Sequence, residues 1–518
     1  MRTLLVAGAG VLLSTFGVLA WQGGAASDTV RVEGGTLSIA RGTSGSIRAF
    51  KGIPFAAPPV GESRWKAPQP VVAWQGARPA DRFGASCVQA QPGSRLPWTE
   101  EFMTQGAVSE DCLFLNVWTP AAAAAERLPV MVYIYGGGFN EGSSSVAVYD
   151  GAPLAARGVV VVTLNYRMGP LGFLVHPGLS AESPDKVSGN YGLLDQVAAL
   201  RWVQRNIAAF GGDPATVTIF GQSAGAISVA DLMRSPLAKG LFVRAIAQSG
   251  PGLLGRNVLS RGLTLQEREA AGVTFAEARG ATSVAALRAM PATDFIAPAL
   301  SARGAVPPNG PVRDGHVVPL DSSSAEVPVM VGFTADDIGV SGFGPAGDSS
   351  LAAYEAEARK TYGAEADAFL ALYKPTTDAD VPMFRKAAGR DRARVTMDVW
   401  ATAQRKVSPH VYTYYFDRVL PWPAHPEFGA FHTSDVPYIF GTLSQLVRPW
   451  EPADRTVSDA MGAYWTNFAK TGDPNGRGLA RWPAHDDTHA TMRLGERMGP
   501  MPVADNERRA FFERQIVK

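Results

Sequence analysis

A serine enclosed by two glycines carries the clearest chemistry in this sequence. Residues 221–225 read Gly-Gln-Ser-Ala-Gly, after an apolar run at 217–220 and before a helical pattern at 226–230. Such a tight strand-to-helix turn lifts the Ser223 hydroxyl above a sheet edge, where the positive end of the next helix favours developing negative charge. The pattern predicts acyl transfer by a nucleophilic serine. Because glycine, serine and alanine also build ordinary turns, the prediction depends on finding partners for the serine.

Glycines that could bind an oxyanion follow the apolar run at 130–135. Gly136, Gly137 and Gly138 would let backbone N–H groups turn towards a ligand without obstruction by side chains, as in an HGGG-type turn with Tyr135 at the histidine position. We predict that the N–H groups of Gly137, Gly138 and Ala224 form an oxyanion hole. A phosphate-binding loop would require a lysine at a position where this sequence has none.

The general base must be one of seven histidines. In the chain order serine, acid, histidine, the base comes last. His432 lies in a loop of small residues after the apolar run at 411–416, from which it could reach back over a sheet. His425 in the same connection is the alternative, although neighbouring prolines suggest an exposed turn. His485 and His489 lie among charged residues near the C terminus, so we expect both to be solvated.

The acid that orients the base should follow a strand between Ser223 and His432. Asp336 and Asp337 come shortly after the apolar run at 327–331. Either carboxylate could orient an imidazole and stabilise its cation. Asp336 would also suit the N-cap of a helix, a purely structural role.

Strands and helices in alternation must position these residues. Six apolar runs rich in β-branched residues predict buried strands, and aliphatic residues at spacings of three and four between 194 and 207 predict a helix. The alternation indicates an α/β fold with a largely parallel sheet, whose sites form beyond the carboxyl ends of strands. The regions 254–310 and 351–405 look helical and could wall a substrate pocket or form outer layers. The six runs are 130–135, 159–164, 217–220, 245–248, 327–331 and 411–416.

The composition is that of a folded protein without a strongly charged partner. The 518 residues are 46% hydrophobic and 18% charged, and the net charge is +1. A large core is therefore expected, and nothing favours binding to nucleic acid or to an anionic membrane surface. The predicted chemistry uses protein groups alone, so we expect no cofactor. We also expect no metal, because two cysteines without a histidine pattern do not make a metal site.

The N terminus predicts export. A basic residue, an apolar stretch from about residue 4 to 20 and small residues before Ala26 predict a secretory signal peptide over residues 1–26, cleaved after Ala26. A retained membrane anchor is the alternative, because the apolar stretch approaches the length of a membrane span. We expect a secreted or periplasmic protein without stable membrane insertion after cleavage. In an exported chain, Cys87 and Cys112 predict one disulfide, whose alternative is a pair of buried free thiols.

Blocks along nearly the whole mature chain resemble the type-B carboxylesterase family, which also contains the cholinesterases. The most specific block comprises Asn206-Ile207 and Phe210-Gly211-Gly212-Asp213-Pro214, and it runs on to the turn at Ser223. The other matching blocks are 50–56, 58–61 with 64–65, 109–113 with 115–116, 165–167 and 189–193.

The resemblance implies an α/β-hydrolase fold in a single domain over residues 27–518, with helical insertions around an active-site gorge. It implies a serine carboxylesterase that acts on a small-molecule ester through an acyl-enzyme. The family's acid lies on an Asp-Glu-Gly element whose glutamate falls on Asp337, and its base precedes a stretch similar to 435–441, which favours His432. The implied triad is Ser223, Asp337 and His432, and the resemblance also supports the Cys87–Cys112 disulfide.

Two positions depart from the family pattern. Gln222 stands where glutamate is usual, so a negative charge beside the triad is absent, which would weaken stabilisation of the imidazolium or of cationic substrates. The acid is one methylene shorter than glutamate, and Ile338 replaces the following glycine, so the acid loop must approach the histidine more closely.

Two other functions fit the same resemblance. A lipase acting on long acyl chains would need an apolar tunnel or lid, which the helical regions could supply. A non-catalytic, neuroligin-like binding protein would typically lack a complete triad, whereas this sequence offers a plausible residue for every member of a triad. The pocket and the substrate are not defined by the sequence. Trp98 and Phe139 are candidate pocket residues, with ordinary loop packing as the alternative for each.

Overall fold

The computed structural model describes residues 27–40, 47–91, 93–250, 264–296, 310–320, 325–338, 348–408 and 410–517. The predicted signal peptide at 1–26, with its cleavage site after Ala26, lies outside the described residues, as do parts of the predicted helical region 254–310. Within the described ranges, no helix is both long enough and apolar enough to cross a membrane.

Most strands of the described chain belong to one mixed sheet. The strands are β1 Ser27–Val32, β2 Gly35–Ala40, β3 Arg48–Pro54, β4 Ala77–Pro79, β5 Ser86–Cys87, β6 Val108–Ser109, β7 Phe114–Thr119, β8 Leu128–Ile134, β9 Val160–Leu164, β10 Gly212–Gln222, β11 Arg244–Gln248, β12 Val329–Thr334, β13 Val411–Phe416, β14 Ala490–Leu494 and β15 Gly499–Pro502. The ten strands of this sheet are ordered β15-β14-β13-β12-β11-β10-β8-β9-β7-β3, and the seven strands from β14 to β9 in this order pair in parallel.

Helices occupy most connections between the parallel strands. They are α1 Ala152–Ala155, α2 Gly169–Phe173, α3 Pro177–Glu182, α4 Tyr191–Asn206, α5 Ala224–Arg234, α6 Leu265–Glu277, α7 Val284–Ala289, α8 Leu351–Tyr362, α9 Ala366–Leu372, α10 Val381–Gln404, α11 Val436–Phe440, α12 Pro452–Thr471 and α13 Asn506–Val517.

All six predicted strands and the predicted helix are present, so the α/β prediction is confirmed. The strands β9, β12 and β13 are buried at every residue, because helices cover both faces of a parallel sheet. The predicted helix at 194–207 is α4, which buries its aliphatic face against the sheet. The region 351–405 is helical, as predicted, and forms α8, α9 and α10.

The topology brings four predicted site elements to one edge of the sheet. The glycine turn at 136 follows β8, Ser223 follows β10, Asp337 follows β12 and His432 lies in the connection after β13. These four strands run parallel, so their carboxyl ends share one edge. That edge is where ligands bind in open α/β sheets.

Candidate active site

Ser223 occupies a strained position between β10 and α5. Its φ of 58° and ψ of −123° lie outside the ordinary regions for a residue with a side chain. The Ser223 N–H donates to the Gln248 carbonyl at 2.8 Å, which fixes the turn to the neighbouring strand β11. The serine is half-buried and immediately precedes α5, so its hydroxyl lies at the positive end of that helix.

The glycines around Ser223 are required by close packing. A Cβ added to Gly225 would lie 1.9 Å from the Ile134 carbonyl oxygen, and one added to Gly221 would lie 2.6 Å from Gly225. The helix can therefore start this close to β8 only without side chains at these two positions. Close contacts therefore explain why glycine lies two residues before and two residues after Ser223.

His432 and Asp337 form a buried hydrogen-bonded pair. Nδ1 of His432 lies 2.9 Å from Oδ1 of Asp337, and both side chains are almost fully buried. The Thr334 hydroxyl donates to Oδ2 of the same carboxylate at 3.1 Å. Within the described residues the Ser223 hydroxyl makes no hydrogen bond to the imidazole; in unliganded enzymes such bonds often tighten only when substrate binds.

The environment favours an ionised Asp337. Burial raises the pKa of this carboxyl, but the charge and hydrogen bond of His432, together with hydroxyl groups of Ser249 and Thr334, outweigh burial and hold the pKa below its ordinary value. An ionised carboxylate can fix the tautomer of the histidine and stabilise an imidazolium.

Asp336, the other candidate acid, is occupied elsewhere. Its Oδ2 accepts the Ala430 N–H at 2.8 Å, and its own N–H donates to the Ala430 carbonyl at 2.9 Å. Its Oδ1 pairs with Arg390 and Lys386 of α10, each at 2.6 Å. Asp336 thus joins the loop that carries Asp337 to the loop that carries His432, rather than capping a helix.

His425, the alternative base, points to a different partner. Its Nδ1 lies 2.9 Å from Oε1 of the exposed Glu427, and its ring packs against Trp422. The structure therefore brings His432, not His425, to Asp337.

The glycine turn after β8 lies against the serine turn. A Cβ added to Gly136 would lie 2.8 Å from the Ser223 Cβ and 2.7 Å from the Gln222 carbonyl oxygen. Gly137 and Gly138 have φ values of 103° and 62°, which glycine adopts without strain, and a Cβ on Gly137 would lie 1.9 Å from the Glu141 carbonyl oxygen. Ala224 is buried at the start of α5.

The predicted disulfide is present, and the two candidate pocket residues have different surroundings. Cys87 and Cys112 are bonded, with a sequence separation of 25 residues. Phe139 is fully buried and packs edge-on against Phe173, so it is a core residue. Trp98 is buried as well, and its indole contacts the main chain of the histidine loop.

The expectation that His485 and His489 are solvated is wrong. Nε2 of His485 lies 2.7 Å from Oδ1 of Asp398, and Nδ1 of His489 lies 2.8 Å from Oδ2. His485 is buried, and His489 is partly so. Their charged sequence neighbours suggested an exposed segment, but Asp398 of α10, distant in sequence, draws both rings inward.

This His-Asp-His cluster contains donor atoms close enough to hold a metal ion, all within 4.8 Å. Both carboxylate oxygens already face imidazole nitrogens, and Nη1 of Arg509 lies 3.4 Å from Nε2 of His489. The positive charge of this guanidinium would repel a metal cation bound at the cluster. The described contacts therefore fit a structural tie between α10 and the segment before β14.

Sequence reasoning missed one buried carboxyl beside the pair. Asp435 is fully buried and accepts the Tyr414 hydroxyl at 2.9 Å. Burial raises its pKa to about 6; the Tyr414 hydrogen bond and His432 oppose the rise, whereas Asp337 adds to it. In the sequence, the feature that could have indicated Asp435 is its position three residues after His432.

Comparisons with known proteins point to a single family. A family model described as "Carboxylesterase family" matches residues 26–511. The chain is 38% identical over 487 residues to a fumonisin B1 esterase of Sphingopyxis macrogoltabida, covering 88% of this chain and 85% of that protein. It is 36% identical to a para-nitrobenzyl esterase of Bacillus subtilis, covering 87% and 92%. It is 35% identical to a human bile salt-activated lipase, covering 87% and 63%.

Proposed function

Because the chain belongs to the carboxylesterase family and is a carboxylic ester hydrolase, we propose that it is an exported serine esterase with Ser223, His432 and Asp337 as its triad. The observation that carries this proposal is the buried 2.9 Å contact between His432 and Asp337 at the sheet edge that also presents Ser223.

Ser223 attacks the carbonyl carbon of the ester while His432 removes the hydroxyl proton. The carbonyl oxygen becomes an oxyanion, which accepts hydrogen bonds from the N–H groups of Gly137, Gly138 and Ala224. Asp337 holds the imidazole in the tautomer with a proton on Nδ1 and stabilises the imidazolium that forms.

The tetrahedral intermediate collapses when the alcohol leaves with the proton held by His432. Ser223 then carries the acyl group. A water molecule, deprotonated by His432, attacks this acyl-enzyme, and the carboxylic acid departs as Ser223 regains its proton. Every step uses groups of this chain, the substrate and water.

Export is supported by the disulfide, because such bonds persist in oxidising compartments. N-terminal sequencing of the secreted protein should begin at Ser27. An intact Met1 would contradict cleavage of the signal peptide.

Replacement of the nucleophile tests the proposed mechanism. Ser223→Ala should abolish hydrolysis of p-nitrophenyl acetate and covalent labelling by a fluorophosphonate. Ser235→Ala is a matched control, because Ser235 lies at the opposite end of α5 and its buried hydroxyl makes no hydrogen bond within the described residues. Activity or labelling that survives in Ser223→Ala would refute the assignment.

A lipase remains the second candidate, since one relative is a bile salt-activated lipase. A series of p-nitrophenyl esters with acyl chains of increasing length separates the two. We expect kcat/KM to be highest for short chains, whereas a steady rise to long chains would favour the lipase.

A further inference from the structure

Residues 88–111 form the loop that the disulfide closes. This loop contacts both the glycine turn after β8 and the segment that carries His432. Cys87 and Cys112 close this disulfide loop, and both sulfur-bearing residues are buried. The disulfide fixes the two ends of this loop, and contacts with neighbouring elements hold the residues between them.

Trp98 connects the loop to the residue proposed as the base. Its indole Nε1–H lies 2.7 Å from the Thr433 hydroxyl oxygen and 3.2 Å from the His432 carbonyl oxygen. Trp98 is 9% exposed, so water competes little for this donor. One N–H group is therefore shared between two acceptors on the main-chain segment that carries the imidazole.

The segment receiving this N–H is strained. Thr433 has a φ of 81°, a conformation that β-branched residues rarely adopt. Its hydroxyl also hydrogen-bonds to the His432 carbonyl. A backbone in such a conformation persists only where surrounding contacts hold it, and Trp98 supplies one of them.

Other residues of the loop hold the same neighbourhood. The Phe102 ring packs edge-on against Phe431, which precedes His432. Arg95 forms an ion pair with Glu141, and the Glu141 N–H donates to the Gly137 carbonyl at 3.2 Å in the proposed oxyanion turn. The loop thus contacts the turn after β8 on one side and the histidine segment on the other.

We propose that Trp98 is a positioning residue for the esterase reaction, a role that rests on the proposed function. Its indole N–H fixes the His432 main chain, and the disulfide loop fixes Trp98. The imidazole is then held against Asp337, at the sheet edge that carries Ser223, before substrate binds. Small displacements of a catalytic group reduce rates strongly, so loss of this hydrogen bond should appear in kcat more than in KM.

The test is Trp98→Phe, which keeps an aromatic ring and removes only the N–H donor and part of the ring. Trp74→Phe is the matched control, because the half-buried Trp74 donates a hydrogen bond of 2.9 Å to the carbonyl of Thr36 in β2, which is not a strand of the ten-stranded sheet. Trp98→Phe should lower kcat and the rate of fluorophosphonate labelling by roughly tenfold, while KM stays within about twofold. Trp74→Phe should leave all three near the wild-type values.

Three results would overturn the proposal. The first is a Trp98→Phe variant whose kcat and labelling rate equal those of the wild type. The second is a Trp98→Phe variant in which only KM rises, which would indicate that Trp98 lines the substrate pocket. The third is an equal fall in Trp74→Phe, which would indicate general destabilisation. Ser223→Ala separates this inference from the proposed function, because an active Ser223→Ala defeats the triad, whereas an inactive one beside a fully active Trp98→Phe defeats only the role of Trp98.

Discussion

The side-chain amide nitrogen of Gln222 lies 3.2 Å from Nε2 of His432 and 3.5 Å from Nδ1 of the same ring. Because the two distances are nearly equal, the amide lies over the face of the imidazole rather than along the lone pair of either nitrogen. Gln222 is 1% exposed, so little water screens this contact. An uncharged group therefore covers the ring where a glutamate would place a negative charge.

Gln222→Glu should change the pH dependence of the esterase. A buried carboxylate against the ring favours the imidazolium, so the acidic limb of the kcat/KM profile should move to higher pH, by roughly one unit. Gln266→Glu, on the exposed face of α6, is the control for an added surface charge. A Gln222→Glu profile that coincides with the wild-type profile would show that this residue does not influence the base.

Asp337→Asn and Asp336→Asn should separate the two adjacent carboxylates. An amide at 337 favours the wrong tautomer of His432, and by analogy with serine proteases kcat should fall by about 10⁴-fold. In Asp336→Asn the new amide oxygen could still accept the Ala430 N–H, and mainly the ion pairs with Arg390 and Lys386 would be lost, so a fall of roughly tenfold or less is expected. Steady-state kinetics of both variants measure the fall in kcat. An equal fall in the two variants would contradict the assignment of Asp337.

Asp435→Asn should stabilise the protein at neutral pH. The folded pKa of Asp435 is raised to about 6, above the ordinary value of 3.8, so protonation of this carboxyl favours the folded state. That contribution is complete below the unfolded pKa and is lost as pH rises through about 6. Above pH 6 the buried charge disfavours folding by up to ~3 kcal/mol, which a neutral asparagine avoids.

Urea unfolding of wild type and Asp435→Asn from pH 4 to pH 8 measures this effect. The difference in unfolding free energy should grow in favour of the variant up to about pH 6 and then level off. Asp459→Asn replaces an exposed carboxylate on α12 and should give a nearly constant difference. A pH-independent difference for Asp435→Asn would contradict the raised pKa.

The features that sequence reasoning recovered are local ones. Buried parallel strands appear in the sequence as continuous apolar runs, and the serine turn and the glycine turn directly follow such runs. The positions of the two turns in the fold are therefore predictable from the sequence. The choice between Asp336 and Asp337 had no local signal, because it depends on Ala430 and His432, more than ninety residues away. The family resemblance resolved it, and the structure brings the same pair together.

The errors also come from distant contacts. His485 and His489 have polar neighbours in sequence, but their burial is set by Asp398, which lies 87 and 91 residues earlier. Phe139 follows the glycine turn and was a candidate pocket residue, but it is fully buried and packs edge-on against Phe173. Such side-chain directions follow from packing between elements, which periodicity does not encode.

Removal of the disulfide should lower stability through the unfolded state. The bond closes a loop with a separation of 25 residues, so the double variant Cys87→Ala, Cys112→Ala should lose roughly 3 kcal/mol of unfolding free energy in urea. Wild type unfolded in the presence of dithiothreitol should show the same loss, because the unfolded chain is then reduced. Both cysteines are at most 2% exposed, so dithiothreitol added without denaturant should leave the disulfide and the activity intact. Equal unfolding free energies of wild type and the double variant would show that the loop is already restricted in the unfolded chain.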